Sequence, residues 1–168
     1  CEFGDIAHIK DKRKSGEPYI THPIAVAEIL AGFRLDRDTI IAAILHDTVE
    51  DCAVSEAELV TRFGAQIAGI VAELTDNKAL EKAERKRLQT VHAPGKSPAA
   101  ALVKICDKMS NIRAVEETPP VHWDVVRQIA YLDWAESVVE LLPAGADPAR
   151  QEFAKRLRDA RAAVAARA

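Results

Sequence analysis

Apolar residues recur along most of the chain at the spacing of three and four positions that gives a helix one buried side. Residues 40 to 45 form a nearly unbroken apolar run, and residues 65 to 75 are apolar at helical spacing. No segment shows the convincing alternation of apolar and polar residues that a half-buried strand would have. The pattern therefore predicts an all-α fold.

Capping residues predict where several of these helices begin and end. Ser55 followed by Glu58 matches a capping box, and Ser97 followed by Pro98 suits the start of a long helix that ends near residue 117. Asp36 or Asp38 would cap the helix that contains the apolar run. Further helices are predicted within residues 2 to 10, 23 to 31, 81 to 91, 122 to 142 and 148 to 165, with a loop over residues 11 to 21.

Composition limits the classes of protein to which the chain can belong. Its 168 residues are 48% hydrophobic but only 5% aromatic, so we expect one domain over residues 1–168 with an aliphatic core. Because the chain begins at Cys1 without an initiator Met, part of the natural N-terminus is expected to be missing. The net charge of −3 argues against a general nucleic-acid-binding protein.

The cysteines and the lack of long apolar runs point to a cytoplasmic protein with no membrane partner. Cys1, Cys52 and Cys106 match no metal-knuckle spacing and are typical of reduced thiols. No apolar run approaches the roughly 20 residues that a membrane helix needs. The oligomeric state is left open, with a homodimer among the alternatives.

One segment, "AAILHDTVED", places an imidazole and three carboxylates directly after the apolar run. On one continuous helix, Glu50 would follow His46 by one turn, and Asp51 would follow Asp47 by one turn. Burying any one of these acids costs several kcal/mol unless a positive charge offsets it. A bound divalent cation is one such charge.

Two further residues elsewhere in the chain could complete a metal site. His22 lies in "YITHPI", and Asp107 lies in the mostly apolar segment "KICDKMSNI". Each alone would more often serve a structural role, the histidine at a loop end and the aspartate with a nearby donor. Together with His46 and Asp47 they form a mixed nitrogen and oxygen set that suits Mn²⁺, Fe²⁺ or Zn²⁺.

The order H…HD…D is that of the HD phosphohydrolase superfamily, and longer segments resemble the hydrolase domain of the RelA/SpoT alarmone enzymes. The similarity covers about residues 7 to 142 and is greatest to the small, stand-alone metazoan SpoT homologue type. The segments that carry it include "RKSGEPYITHPIAVAEIL", "AAILHDTVEDC", "FGAQIAGIVAELTDNK", "ERKRLQ", "HAPGKSPAAALVKICDKMSNIRAV" and "YLDWAESVV".

The resemblance implies an all-helical HD-domain bundle and a Mn²⁺ enzyme that removes the 3′-pyrophosphate of (p)ppGpp, leaving GDP or GTP. Zn²⁺ or Fe²⁺ would suit the same ligands. Glu50 and Asp51 fall where the family orients or activates the attacking water. The metal ligands implied by the motif are His22, His46, Asp47 and Asp107.

The resemblance also implies substrate contacts. Matching positions are Arg13, Lys14, Asn111, Arg113 and Tyr131. In "ERKRLQ", Lys86 and Arg87 would either contact phosphate groups or lie on a solvated helix face. The chain departs from the family pattern at Asp11, where Gln is frequent, and at Ala114, where Asp is frequent.

Two alternatives remain open at this point. The chain could be an HD phosphohydrolase that acts on another nucleotide, such as the 2′-phosphate of NADPH. It could also be a catalytically silent module that binds an alarmone. Each alternative takes a small nucleotide as its partner.

Overall fold

The computed structural model describes residues 2–13, 16–33, 36–52 and 54–167 and confirms the all-α prediction. Within these residues the β structure consists of one isolated bridge between Lys12 and Pro18. A 3₁₀ turn, Ala93–Gly95, precedes the longest helix. The α-helices are α1 (Glu2–Ala7), α2 (Thr21–Ala31), α3 (Arg37–Leu45), α4 (Thr48–Asp51), α5 (Glu56–Phe63), α6 (Ala65–Leu74), α7 (Lys82–His92), α8 (Pro98–Glu117), α9 (Val125–Leu141) and α10 (Asp147–Ala165).

Side-chain caps set the ends of these helices, as the sequence predicts. Asp36 is the residue that caps α3, because its carboxylate accepts a 2.9 Å hydrogen bond from the Thr39 amide. The Ser97 hydroxyl accepts from the Ala100 amide at 3.2 Å and begins α8. Gly64, with φ of 90°, separates α5 from α6 in a backbone conformation that favours glycine. The helix α2 begins at Thr21, two residues earlier than predicted.

Helix α8 lies at the centre of the fold and packs against α2, α3, α6, α9 and α10. Its aliphatic side chains, such as Ile105 and Met109, are fully buried. The same helix also buries polar side chains, which is unusual because buried polar groups require partners. These are Lys104, Asp107, Lys108 and Ser110, and their position marks where a functional site meets the core.

The HD segment is not one continuous helix, so Glu50 and Asp51 do not stack on His46 and Asp47 along a single helix as the sequence indicated. Helix α3 ends at Leu45, His46 and Asp47 form a turn, and α4 begins at Thr48. The cause is local, because side chains take over the last carbonyl groups of α3. His46 Nδ1 lies 2.7 Å from the Ala43 carbonyl oxygen, and the Thr48 hydroxyl donates to the Leu45 carbonyl at 2.7 Å.

None of the helices in the described ranges has both the length and the apolar character needed to cross a membrane.

Candidate metal centre

Four side chains from three parts of the fold meet beside α8. His22 comes from α2, His46 and Asp47 come from the turn after α3, and Asp107 comes from α8. His22 Nε2 lies 3.2 Å from Asp107 Oδ1, and His46 Nε2 lies 3.2 Å from Asp47 Oδ1. Each imidazole also lies 3.9 Å from the other carboxylate. The helix break at residues 46 and 47 lets these two neighbours face one point, which a regular helix would prevent.

Hydrogen bonds from the far side orient each of these groups. The Ala43 carbonyl can only accept, so His46 Nδ1 carries the proton and Nε2 presents a lone pair to the cluster. His22 Nδ1 lies 3.0 Å from the Ser110 hydroxyl, which leaves its Nε2 facing the cluster in the same way.

The two carboxylates are held as firmly as the imidazoles. Asp107 accepts a 2.6 Å hydrogen bond from the Asn111 amide nitrogen, and Asp47 accepts one of the same length from the Tyr19 hydroxyl. Burial, and to a smaller extent the charge of Asp47, raises the pKa of Tyr19 well above its ordinary value. The hydroxyl therefore keeps its proton and donates a hydrogen bond to Asp47. Each of the four side chains therefore has a hydrogen-bond partner outside the cluster.

The protonation states of the cluster suit a cation. Burial lowers the pKa of His22, which favours the neutral imidazole. Burial opposes ionisation of Asp107, but the Lys108 ammonium and the His22 hydrogen bond hold its pKa well below the ordinary value. Burial also opposes ionisation of Asp47, but attraction to the protonated forms of His46 and His22 lowers its pKa. When the imidazoles are neutral, a bound cation would supply that positive charge instead. Neutral imidazoles and ionised carboxylates are the forms that ligate divalent metals.

The donor set thus fits the metal that the sequence implies. The ligand atoms of His22, His46 and Asp107 all lie within 4.8 Å of one another, and Asp47 adjoins both imidazoles. Two nitrogens and two carboxylates suit Mn²⁺, Fe²⁺ or Zn²⁺ alike, so the identity of the ion is not decided by these ligands.

Glu50 and Asp51 lie in α4, just after His46 and Asp47, and outside the cluster. Glu50 accepts hydrogen bonds from Arg85 Nη1 at 3.2 Å and from the Asp76 amide at 3.3 Å. Burial, with the nearby Asp76 charge, raises the pKa of Glu50. The Asp51 carboxylate forms an ion pair with Lys78. Glu50 lines the same cavity as His22, Asp47 and Asp107, which places a carboxyl group with a raised pKa at the wall of the site.

The cluster opens into a cavity of about 310 Å³ whose other wall is cationic and aromatic. Lys108 Nζ lies 4.1 Å from the ring centroid of Trp134, and Lys86 Nζ lies 4.4 Å from the same ring. Burial lowers the pKa of Lys108 to about 8, although Asp107 opposes that shift. The basic residues lining this cavity are Lys82, Arg85, Lys86, Lys104, Lys108 and Arg127.

A second cavity, of about 350 Å³, adjoins the first. Tyr19, Asn111, Trp123 and Tyr131 line both, so the two form neighbouring parts of one cleft. Arg13 lines the second part, and its Nη2 lies 3.4 Å from the Asn111 amide oxygen. The cleft therefore offers both a metal end and a larger cationic and aromatic space.

The structure brings three of the predicted substrate residues to this cleft, namely Arg13, Asn111 and Tyr131. It does not bring Arg113 there, because that side chain is exposed and pairs with Glu117 at 2.8 Å. Lys14 lies outside the described residues.

The two basic residues left open in "ERKRLQ" have different positions. Lys86 lines the cavity and lies over the Trp134 ring. Arg87 is exposed and pairs with Glu84 at 2.7 Å.

Several cavity residues were missed from the sequence. Tyr19 precedes His22 by three positions, and that spacing near a helix start could have indicated it. Arg85 had only a weak signal, since α7 has no buried residue to show which side faces inward. Lys108 and Trp134 had none, because their approach depends on the packing of α8 against α9.

Comparison with known proteins assigns the family. A family model described as HD domain matches residues 1–132, which includes every proposed metal ligand. The chain belongs to the HD-domain family. This confirms the family expected from the sequence, and with it the helical HD fold.

Similar proteins share most of this HD-domain chain. The Homo sapiens guanosine-3′,5′-bis(diphosphate) 3′-pyrophosphohydrolase is 44% identical over 144 residues, which are 83% of this chain and 80% of that protein. The enzyme of the same name from Danio rerio is 47% identical over 133 residues, covering 78% and 74%. The solved structure of a metazoan ortholog of SpoT that hydrolyses ppGpp matches with a TM-score of 0.89 at 35% identity, covering 94% and 90%.

Proposed function

We propose that this HD-domain protein hydrolyses guanosine 3′,5′-bis(diphosphate), ppGpp, at the 3′ position and releases pyrophosphate and GDP. The observation that carries the proposal is the opening of the metal-ligand cluster into a cleft with cationic and aromatic walls. Relatives from human and zebrafish, at 44% and 47% identity, are named for this reaction. The same cleavage of pppGpp would leave GTP.

The metal would be held by His22, His46, Asp47 and Asp107, and we propose Mn²⁺ as the working ion, with Zn²⁺ and Fe²⁺ as ions that suit the same donors. When bound, such an ion supplies Lewis acidity and lowers the pKa of a water molecule.

Glu50 and Asp51 are proposed to manage the proton of the attacking water. The raised pKa of Glu50, caused by burial and by Asp76, supports this role because a carboxyl that titrates nearer neutral pH accepts and returns a proton more readily. Arg85 and the Asp76 amide hold the Glu50 carboxylate in place.

The bonds in the proposed reaction balance without a redox partner. Water adds its hydroxyl group to the phosphorus attached to the ribose 3′-oxygen. The bond from that phosphorus to the ribose oxygen breaks, and the ribose oxygen takes a proton. The products are intact pyrophosphate and GDP with a free 3′-hydroxyl group.

The chemistry of the cleft supports a guanosine polyphosphate as the ligand. Ammonium and guanidinium groups pair with phosphate oxygens through charge-assisted hydrogen bonds. The Nε of Arg85 is buried and has no hydrogen-bond partner within the described part of the chain, so it is a donor that a phosphate could use. Tyr19, Trp123 and Tyr131 offer aromatic faces against which a purine can stack.

A nucleotide panel under metal-replete conditions tests the proposal. Wild-type protein with Mn²⁺ receives ppGpp, pppGpp or NADPH, and the products are separated by chromatography with separate assays for orthophosphate and pyrophosphate. We expect GDP and pyrophosphate from ppGpp in equal amounts. Release of orthophosphate and NADH from NADPH with ppGpp untouched would refute the assignment, and binding of ppGpp without cleavage would indicate a silent module.

A further inference from the structure

A second cluster of metal-ligating side chains lies outside the HD site. His8, just after α1, meets Asp11 from the following loop and Cys52 from the end of α4. His8 Nδ1 lies 3.1 Å from Asp11 Oδ2 and 3.0 Å from Cys52 Sγ, and the Cys52 Sγ to Asp11 Oδ2 distance is 3.5 Å. Residues 44 positions apart in the chain therefore present an imidazole, a carboxylate and a thiol to one point.

These separations are close to those of ligands around one zinc-like ion. Metal distances of about 2.3 Å to sulfur and about 2.0–2.1 Å to nitrogen and oxygen give tetrahedral edges of roughly 3.3–3.6 Å between ligand atoms. Taken pair by pair, the Cys52–Asp11 edge of 3.5 Å agrees with the expected sulfur–oxygen edge, and the His8–Asp11 edge of 3.1 Å is about 0.2 Å shorter than the expected nitrogen–oxygen edge. The His8–Cys52 edge of 3.0 Å is about 0.5 Å shorter than the expected nitrogen–sulfur edge, so an ion would move these two side chains slightly apart. From this geometry we propose that His8, Asp11 and Cys52 form a second divalent-metal site of the zinc class.

The burial of the cluster suits a metal site with an open position. The His8 ring is almost fully buried, whereas Asp11 is 39% exposed and Cys52 is half-buried. The exposed edge gives an ion a path from solvent. Three protein ligands leave the fourth tetrahedral position for water.

The surrounding charge also favours a cation. Burial and the carboxylate of Asp11, with smaller effects from Asp51 and Asp47, raise the pKa of the Cys52 thiol to about 12. A thiol in such surroundings does not act as a free thiolate nucleophile. A bound divalent cation offsets these carboxylates and binds the deprotonated sulfur.

The second site is coupled to the HD site through one aromatic side chain. The His8 ring stacks against the Tyr19 ring with centroids 4.8 Å apart, and the Tyr19 hydroxyl donates to Asp47 at 2.6 Å. An ion at His8 would fix this ring and thereby hold Tyr19 against a ligand of the HD metal. It would also join the segment after α1 to the end of α4, beside Glu50 and Asp51.

Cobalt substitution distinguishes the two sites, because only the second contains sulfur. The full chain is stripped of metal and loaded with Co²⁺, and the near-ultraviolet thiolate-to-cobalt charge-transfer band is recorded. We expect the band in the wild type and in Cys106→Ser, since the buried Cys106 is not among the grouped ligand residues of either cluster. We expect its complete loss in Cys52→Ser.

Elemental analysis of the same samples provides the count of ions. We expect about two ions per wild-type chain and about one per chain in each of Cys52→Ser and His46→Ala. The His46→Ala variant should keep the thiolate-to-cobalt band. Far-ultraviolet circular dichroism checks that each variant folds. If Cys52→Ser unfolds, Asp11→Asn takes its place, and we expect this substitution to weaken the band at least about tenfold. Absence of the band from the wild type, or its persistence in Cys52→Ser, would overturn the proposal.

Discussion

The two ends of the cleft achieve charge balance in different ways. At the candidate metal end, neighbouring atoms of His22, His46, Asp47 and Asp107 lie 3.2 to 3.9 Å apart, and uncharged protein groups form hydrogen bonds to them from behind. At the opposite end, the ammonium of Lys86 lies over aromatic rings. An aromatic ring attracts a cation through its quadrupole and carries no net charge of its own, so it neutralises none of the ammonium charge.

This difference predicts that metal binding and nucleotide binding can be separated by mutation. The metal end is a preorganised set of candidate ligands, and we expect their loss to remove the ion. The cationic end is a binding surface on which each residue should contribute only a part of the affinity for the nucleotide.

His46→Ala should have the largest effect. Removing the Nε2 ligand should lower metal occupancy and reduce turnover of ppGpp by more than about 100-fold, since even groups behind a ligand typically contribute 10- to 100-fold. Elemental analysis and pyrophosphate release provide the two measurements. His92→Ala is the matched control, because His92 is exposed at the end of α7. Full metal occupancy in His46→Ala would remove this residue from the ligand set.

Glu50→Gln should separate chemistry from binding. The amide keeps the size of the side chain and an oxygen that can accept from Arg85, but it cannot take up a proton. Turnover should fall by roughly 10²-fold or more, the usual scale for a general acid–base group, while metal content and KM stay near those of the wild type. Glu58→Gln on the exposed face of α5 serves as the control. Unchanged turnover would exclude the proposed role.

Lys86→Met and Arg87→Met form a matched pair on α7. Lys86 lines the cavity, whereas Arg87 is exposed with Glu84. Lys86→Met should raise KM for ppGpp by about tenfold, equivalent to about 1.4 kcal/mol, with metal content unchanged. The effect should shrink at high salt, because ions screen such attraction. Equal effects of the two substitutions would show that the inward position of Lys86 does not matter.

Arg113→Ala should have the smallest effect. The Arg113 guanidinium is exposed and pairs with Glu117 one turn along α8, and such pairs contribute about 0.3–0.5 kcal/mol. We expect kcat/KM for ppGpp to change by less than about twofold. A tenfold loss in a steady-state assay would mean that Arg113 contacts the substrate in the complex, as the family resemblance implies.

The metal end could be predicted from the sequence because its signals are local. His46 and Asp47 directly follow the apolar run of α3, and His22 and Asp107 each interrupt an otherwise apolar helix side. The turn between α3 and α4 was not predicted, since it depends on where two side chains bond to the last carbonyls of α3.

The cationic end was less predictable because it forms only when distant helices pack together. Lys108 and Trp134 are far apart in sequence but 4.1 Å apart in the fold. The cluster of His8, Asp11 and Cys52 depends in the same way on the segment after α1 lying against the end of α4. No pattern within one helix reports such contacts.

The most direct test of the whole account is pyrophosphate release from ppGpp by protein that is stripped of metal and then reloaded with Mn²⁺. Chelation should abolish release, while binding of ppGpp to the cationic end, measured by calorimetry, should persist at reduced affinity. Reloading should restore GDP and pyrophosphate in equal amounts. Undiminished release by fully stripped protein, or no release after full reloading, would contradict the assignment of this cleft as a metal-dependent ppGpp 3′-pyrophosphohydrolase site.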